Sequence, residues 1–307
     1  MKTTKVVWIG VSCLMVVGIS LGFLGKKKGP VEGLFKNARL EESYRRANRL
    51  IAEGKKEEAT PLLEQFLSEA PTSSLADEAL LSLGDLKRDQ GKLVEAKAAY
   101  QKIVQSLPAS NSAPLAQERL GTINLEILFS PLATASDQMV VVQAGDSLAR
   151  IAARTGTTVD LLMKANHLTS SIILPGKKLK IPGGRFSLVV DKSQNTLTLK
   201  SGEEVVKVYA VATGQGNSTP VGTFKVTNKL VNPVWYTVGA VVPPDSPQNI
   251  LGSRWMGISA QGYGIHGTRD DTSIGKSVTA GCVRMHNADV EELYSIIPIG
   301  TEVTIID

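Results

Sequence analysis

The sequence predicts a multidomain protein: an N-terminal transmembrane helix, an α-helical repeat region, a small βααβ module and a mostly-β domain, in that order. Three observations support this fold class. Landmark residues recur at a fixed interval in the first half, which is typical of stacked helical hairpins. A strand–helix–helix–strand pattern follows within about 44 residues. From Arg185 to the end, apolar and polar residues alternate over short runs, which is typical of β-hairpins.

Length and charge narrow the class of protein. The chain has 307 residues, enough for two or three domains, and its net charge is +5. Much of the positive charge is local, as in Lys26-Lys27-Lys28, and no long basic stripe is interleaved with aromatic residues. We therefore expect no nucleic-acid partner.

The first thirty residues predict a membrane anchor or signal segment (residues 1–30). Val6–Leu24 contains nineteen residues without a charge, about the length needed to span a bilayer core. Ser20-Leu21-Gly22 is only a weak cleavage site, so an uncleaved anchor is favoured over a removed signal peptide. Lysines on both sides of the span leave its orientation open, so the prediction of an extracytoplasmic location depends on the later domains.

Residues 36–128 predict a helical repeat. The interval is 37 residues, and it relates Gly54 to Gly91, Ala59 to Ala96, and Pro71 to Pro108. The segment "LADEALLSLGDLKRDQGKLVEAKAAYQKIVQSLP" resembles a tetratricopeptide unit, with Gly84, Ala96, Tyr100 and Pro108 at matching positions. The first unit departs with Leu63 in place of the aromatic, and the third is truncated. Two interpretations stay open: a groove for a protein partner, or a spacer above the membrane.

A linker at residues 129–138 precedes the small module at 139–183. Its pattern predicts helices at Leu148–Thr155, capped by Ser147, and at Val159–Ala165, started by Thr158 or Thr157, then a strand at Lys178–Ile181. The module resembles a LysM domain over its whole length, through the segments "VVQAGDSL", "IAARTGTTVDLL", "ANHL" and "LPGKKLKIP".

The LysM resemblance implies binding of N-acetylglucosamine-containing glycan, here peptidoglycan, in a groove between two loops. The implied glycan-binding residues are Gly145, Asp146, Ser147, Ser171, Ile172, Ile173 and Leu174. His167 is interpreted as a turn residue within "ANHL", and not as a metal ligand.

The sequence predicts a mostly-β domain at residues 185–307. We expect one helix in it, capped by Asn287, and a closing strand in "GTEVTIID". Because the chain has only two cysteines, Cys13 and Cys282, we do not expect a disulfide framework. Cys282 follows His266 by sixteen residues, across a Gly-, Thr- and Ser-rich loop. A thiol attacks a carbonyl only as thiolate and needs a base or cation nearby.

The neighbours of Cys282 favour catalysis over a buried, inert cysteine. Gly281 leaves room for substrate at the sulfur, and nearby backbone N–H groups can stabilise an oxyanion. Arg284, two residues on, is placed to hold a carboxylate. Metal binding is disfavoured, because one cysteine and two nearby histidines give at most three ligands at unhelpful spacing.

The stretch "YGIHGTRDDTSIGKSVTAGCVRMHNADVEELY", supported by "STPVGTF" and "NILGSRWMGI", is similar to the L,D-transpeptidase catalytic domain family. The resemblance implies Cys282 as nucleophile, His266 as general base and the Gly267 carbonyl as the group orienting the imidazole. It implies that Gly281 and Cys282 supply oxyanion N–H groups. Ala280 departs from the family, in which many members carry a second histidine there, and His286 is interpreted as structural. The implied substrate-binding residues are Arg284, Thr279, Trp255 and Tyr263, the two aromatics having a core role as the alternative.

The implied reaction is a two-step acyl transfer on peptidoglycan stem peptides, with loss of the terminal D-Ala, a thioester on Cys282 and a 3→3 crosslink. It needs no cofactor. Alternatives are hydrolysis by water, attachment of a protein to the wall, and a wall-binding scaffold without activity. The expected partners are stem peptides, glycan strands, the membrane, and a protein on the helical repeats. The expected location is extracytoplasmic and membrane-anchored, in periplasm or cell wall.

Overall fold

The computed structural model describes residues 30–307, with side chains from residue 38 onward. The first part is entirely helical. Its five helices are α1 (Pro30–Ala52), α2 (Lys56–Glu69), α3 (Ala76–Asp89), α4 (Leu93–Ser106) and α5 (Ala113–Leu128). The predicted anchor at Val6–Leu24 lies outside the described residues. Within residues 30–307, no helix combines the length and the apolar character needed to cross a membrane.

Neighbouring helices of this part pack through small residues. A Cβ on Gly84 of α3 would collide with the ring of Tyr100 on α4, so the glycine makes room for the tyrosine. Tyr100 is fully buried, and its hydroxyl donates to Asp85 at 2.7 Å. The prediction of helices over 36–128 is confirmed, with α5 standing as a single helix after two pairs; the tetratricopeptide character remains a resemblance.

The small module has the predicted βααβ order. Its elements are β1 (Gln138–Val141), α6 (Leu148–Thr155), α7 (Val159–Ala165) and β2 (Lys178–Ile181). Ser147 and Thr158 cap the two helices by accepting from Arg150 N and Leu161 N, as short side-chain oxygens at helix starts commonly do. His167 has φ +48° in the turn after α7, which confirms its interpretation as a turn residue.

The last part is a mostly-β domain, as predicted. Its strands are β3 (Phe186–Asp191), β4 (Thr196–Ser201), β5 (Glu204–Ala210), β6 (Thr213–Gly214), β7 (Gly222–Val231), β8 (Trp235–Thr237), β9 (Ala240–Val242), β10 (Arg254–Ile258), β11 (Gly264–His266), β12 (Ser277–Thr279), β13 (Val283–Arg284) and β14 (Glu302–Ile306), with one helix, α8 (Asn287–Ile296), before β14. Eight strands form one sheet in the order β13-β11-β10-β7-β14-β3-β4-β5. Strands β8 and β9 form a hairpin, and β6 pairs with β12.

The prediction that Asn287 caps the helix is wrong. The cap position is His286, whose side chain makes no capping bond, and Asn287 is the first helical residue. The Asn287 amide instead donates to Thr268 O at 2.7 Å and accepts from Ser253 N at 3.0 Å. These long-range bonds compete with the local capping bond, and they tie the loop after His266 to the start of β10.

The three parts pack against one another. Leu125 of α5 and Leu161 of α7 are buried in the same apolar core as the central sheet. Asn124 of α5 donates to Val205 O and Val206 O of β5, the edge strand of that sheet. Those carbonyls lie at a sheet edge, where no further strand pairs with β5. The helical part therefore supplies a hydrogen-bond donor in place of a neighbouring strand.

A buried lysine joins the small module to the helices. Lys180 of β2 is 1% exposed, and its Nζ donates to Ile127 O at 2.8 Å and Ser130 O at 2.9 Å. Asp137 lies 3.6 Å from the same nitrogen. Burial lowers the pKa of Lys180, and the Asp137 carboxylate opposes that effect. The segment predicted as a linker is therefore held at both ends.

Candidate active site

The predicted residues of the last domain meet in one cleft of about 650 Å³. Six of them line it: His266, Cys282, Arg284, Thr279, Trp255 and Tyr263. Trp235 and Tyr236 of the β8–β9 hairpin form another part of the wall, together with Leu251. His266 and Cys282 are sixteen residues apart in sequence. They come together because β11, which contains His266, pairs in parallel with β13, which follows Cys282 directly.

The His266 imidazole is held in one tautomer. Its Nδ1 lies 2.6 Å from the carbonyl oxygen of Gly267. A carbonyl oxygen can only accept, so the neutral ring carries its proton on Nδ1 and leaves Nε2 free to accept one. His266 is 2% exposed, and burial lowers its pKa to about 4, with a further lowering from Arg284. The ring is therefore a neutral base throughout the physiological pH range.

The Cys282 thiol is also shifted toward its neutral form. Burial raises its pKa, opposed by the backbone N–H of Gly264 and the charge of Arg284. Because one pKa moves up and the other down, the resting pair is thiol and imidazole rather than thiolate and imidazolium. A pair in these states could supply general-base catalysis, in which proton transfer accompanies attack by the thiol.

The turn before Cys282 is built from two residues of the predicted site. Thr279 is buried; its hydroxyl donates to Cys282 O at 2.7 Å and accepts from Gly281 N at 3.1 Å. Gly281 has φ +129°, and a Cβ there would lie 2.5 Å from the Tyr263 ring. The Gly281 N–H is thus bonded within the turn in this structure, and its expected role as an oxyanion donor stays a prediction. Gly281 also contributes by lacking a side chain, which leaves space for the Tyr263 ring.

Arg284 follows on β13, where it pairs with His266 across the strands. Among the described residues its buried Nε has no hydrogen-bond partner. A buried donor without a partner costs free energy, and a carboxylate bound in the cleft would supply one. His286 lies away from this pair, and its Nδ1 is 2.7 Å from Asp271 Oδ1 near the surface.

Several residues with a role in the site were missed by sequence reasoning. Gly264 faces the thiol through its N–H, Asn287 braces the loop after His266, and Asn228 on β7 bonds the indole of Trp255. For Gly264 the sequence offered a signal, because this glycine stands two residues before His266. For Asn228 the sequence offered no signal. It lies 27 residues before Trp255, and only the register of the sheet brings the two residues together.

The residues assigned to glycan binding lie in the small module. Ile172 and Leu174 are 80% and 69% exposed, which is unusual for large apolar side chains. Asp146 and Ser147 form the turn before α6, where Asp146 accepts from Gln143 N and Ser147 caps the helix. Gly145 has φ +83° in the same turn.

Two family models match the chain. The YkuD L,D-transpeptidase catalytic domain matches residues 185–305, and the LysM domain matches residues 140–182. A structure titled an L,D-transpeptidase from Mycobacterium smegmatis has 21% sequence identity and a TM-score of 0.34, covering 44% of this chain and 65% of that one. At that score the structural likeness adds no weight to the assignment.

The sequence relatives carry the assignment. The putative L,D-transpeptidase YkuD of Bacillus subtilis is 38% identical over 171 residues, which cover 53% of this chain and 96% of that protein. The putative L,D-transpeptidase YqjB of the same organism is 42% identical over 143 residues, covering 45% of this chain and 80% of that protein. With nearly all of one relative aligned, and with a Cys–His cleft inside the matched domain, this chain belongs to the L,D-transpeptidase family.

Proposed function

We propose that the cleft forms 3→3 crosslinks between peptidoglycan stem peptides, with Cys282 as nucleophile and His266 as general base. The observation that carries the proposal is the shared cleft, in which His266 is held by the Gly267 carbonyl with Nε2 free. Membership in the L,D-transpeptidase family and the matching LysM segment support a peptidoglycan substrate.

The first half-reaction transfers the acyl group to sulfur. As Sγ of Cys282 bonds to the carbonyl carbon between the third stem residue and the terminal D-Ala, the thiol proton moves to Nε2 of His266. The C–N bond then breaks, and the imidazolium gives that proton to the leaving amine of D-Ala. A thioester on Cys282 remains.

The second half-reaction restores the thiol. An amine of a neighbouring stem peptide attacks the thioester carbon and gives its proton to His266. The C–S bond breaks, and the sulfur takes the proton back. In both halves the Cys282 N–H is the proposed oxyanion donor, and Arg284 is proposed to bind a substrate carboxylate, with Trp255 and Tyr263 lining the cleft.

The test is incubation of the full-length chain with disaccharide-tetrapeptide, with products resolved by mass. We expect a crosslinked dimer that has lost one D-Ala, and none with Cys282→Ala. Tripeptide alone would indicate hydrolysis as the main outcome. Absence of any product, with binding to peptidoglycan retained, would contradict the proposal and favour a wall-binding scaffold or a protein acceptor.

The remaining parts are proposed to place this chemistry at the wall. The apolar run Val6–Leu24 supports membrane attachment, and the LysM segment supports glycan tethering, which raises the local substrate concentration. Replacing Ile172 and Leu174 by Ser should weaken pull-down by insoluble peptidoglycan without changing activity on soluble tetrapeptide. The bonds from α5 to β5 favour an integral role for the helices over a free spacer, and a partner groove on the repeats stays a proposal.

A further inference from the structure

We propose that Asn228 and Trp255 form a positioning pair that fixes the plane of the His266 imidazole; this rests on the proposed role of His266 as general base. Neither residue belongs to the nucleophile, the base or the group that binds the substrate carboxylate. The pair acts through contacts that cross three adjacent strands, β7, β10 and β11.

The sheet register creates a trough for the two side chains. Asn228, Gly257 and Gly264 are partners across β7, β10 and β11. A Cβ on Gly257 would lie 2.6 Å from Asn228 Oδ1, and one on Gly264 would lie 2.6 Å from Trp255 Cζ2. The two glycines therefore leave the space in which the amide and the indole lie across the sheet.

The Asn228 amide fixes one end of the indole. Trp255 Nε1 donates to Asn228 Oδ1 at 3.1 Å, and Gly257 N donates to the same oxygen at 3.2 Å. Two N–H donors that converge on one atom require an acceptor, so the oxygen of the amide must face them. The second donor is backbone, and it holds the amide in that orientation.

The indole then covers one face of the imidazole. Trp255 and His266 are directly opposite each other on β10 and β11. Their ring centroids are 5.8 Å apart, with an angle of 20° between the planes. The Gly267 carbonyl holds the edge of the imidazole at Nδ1, and the stack restricts rotation out of that plane.

The same contact keeps water from the base. His266 is buried although it lines an open cleft, and the indole supplies part of the apolar cover. The charged or titratable groups facing it are Arg284, from β13, and the thiol of Cys282, in the same cleft. Removing the indole should therefore change both the orientation of the ring and its titration, which a purely structural residue would not do.

The test compares Trp255→Leu, Trp255→Phe, Asn228→Leu and Asn228→Asp in the full-length chain. With Trp255→Leu we expect kcat to fall about 100-fold, the loss typical of a misplaced catalytic group. Phe, which keeps a stacked ring, should restore part of kcat, and Asp, which keeps the acceptor, should retain more than Leu at residue 228. Thermal unfolding of each variant identifies losses that come from misfolding.

A second readout does not depend on the reaction. In a Cys282→Ala background, the pKa of His266 is followed by NMR of the imidazole protons. We expect Trp255→Leu to move it from about 4 toward the ordinary 6.5. Trp235→Leu, which removes an indole from another part of the cleft wall, should leave it unchanged. An unchanged pKa and kcat in folded Trp255→Leu would overturn the inference. If Trp255→Leu shifts the pKa of His266 but the native chain forms no crosslink, only the proposed function is contradicted.

Discussion

The two halves of the candidate site are built in different ways. His266 lies within a strand, is 2% exposed, and is held by paired strands on both sides. Cys282 follows a turn between two short strands, is partly exposed, and depends on Thr279 and Gly281 for its conformation. The proposed base is therefore fixed by regular backbone pairing, and the proposed nucleophile by side-chain bonds within a turn.

This difference indicates where each half is vulnerable. Strand pairing is shared among many residues, so the base half should respond mainly to changes in the contacts of the His266 ring. A turn held by one hydroxyl and one left-handed glycine has no such redundancy.

Replacing the base should have a larger effect than any positioning change. We expect His266→Gln to reduce kcat by about 10³-fold, within the range for loss of general-base catalysis. Its residual rate should rise with pH, because attack then depends on spontaneous ionisation of a thiol whose pKa is raised by burial. Initial crosslinking rates from pH 6 to 10 measure this, with the native chain as reference. A pH-independent residual rate would contradict it.

The burial of His266 predicts a pH-dependent contribution to stability. Its pKa is about 4 in the folded chain and 6.5 as the ordinary value, so the unfolded chain binds more protons between these pH values. The contribution is complete above about pH 6.5 and is lost as pH falls toward 4. It amounts to about 3 kcal/mol from the linkage of 1.36 kcal/mol per pKa unit.

Urea unfolding of the native chain and of His266→Gln at pH 7 and pH 4 measures this term. The native chain should lose about 3 kcal/mol more than the variant on acidification, because the other titrating groups are common to both. Equal losses in the two proteins would indicate that His266 is accessible to protons when folded.

A matched pair of glycine substitutions compares the halves directly. In Gly281→Ala the new Cβ meets the Tyr263 ring at 2.5 Å from a φ of +129°, which side chains rarely adopt. In Gly264→Ala it meets the Trp255 ring at 2.6 Å without that backbone strain. We expect Gly281→Ala to cost about 1–3 kcal/mol of stability as a strained position, and Gly264→Ala less.

The two glycine variants should also differ in which residue they disturb. Gly281→Ala should slow alkylation of Cys282 by iodoacetamide, whereas Gly264→Ala should shift the titration of His266 through the displaced indole. The opposite pattern, with the thiol unaffected by Gly281→Ala, would remove the distinction between the halves.

Much of this organisation could be predicted from the sequence. The caps at Ser147 and Thr158 are local signals, and the helices they start were placed correctly. His266 and Cys282 were recognised because few histidines and cysteines exist in the chain and both stand beside glycine. Their meeting in one cleft followed from the family resemblance and is seen in the structure.

Most of the parts that could not be predicted depend on contacts between residues that are distant in sequence. Asn287 looked like a helix cap, because capping is a local pattern, but its amide bonds Thr268 and Ser253. Asn228 bonds Trp255 only because β7 and β10 pair in one register. The N–H of Gly281 was expected at an oxyanion, but Thr279 accepts from it. For Asn287 and Asn228 the deciding partner is distant in sequence, whereas for Gly281 it is a side chain two residues away within the turn.

The smallest expected effect comes from the hydroxyl that holds the nucleophile turn. Thr279→Val keeps the shape of the side chain but leaves Cys282 O and Gly281 N without their partner, at a cost of about 1–2 kcal/mol. Thr279→Ser retains both bonds and serves as the control. We expect kcat about tenfold lower for Val and nearly unchanged for Ser, because the released Gly281 N–H no longer orders the turn beneath the sulfur. Equal rates for Val and Ser would show that the glycine conformation alone places Cys282, and that the two halves differ less than their hydrogen bonds indicate.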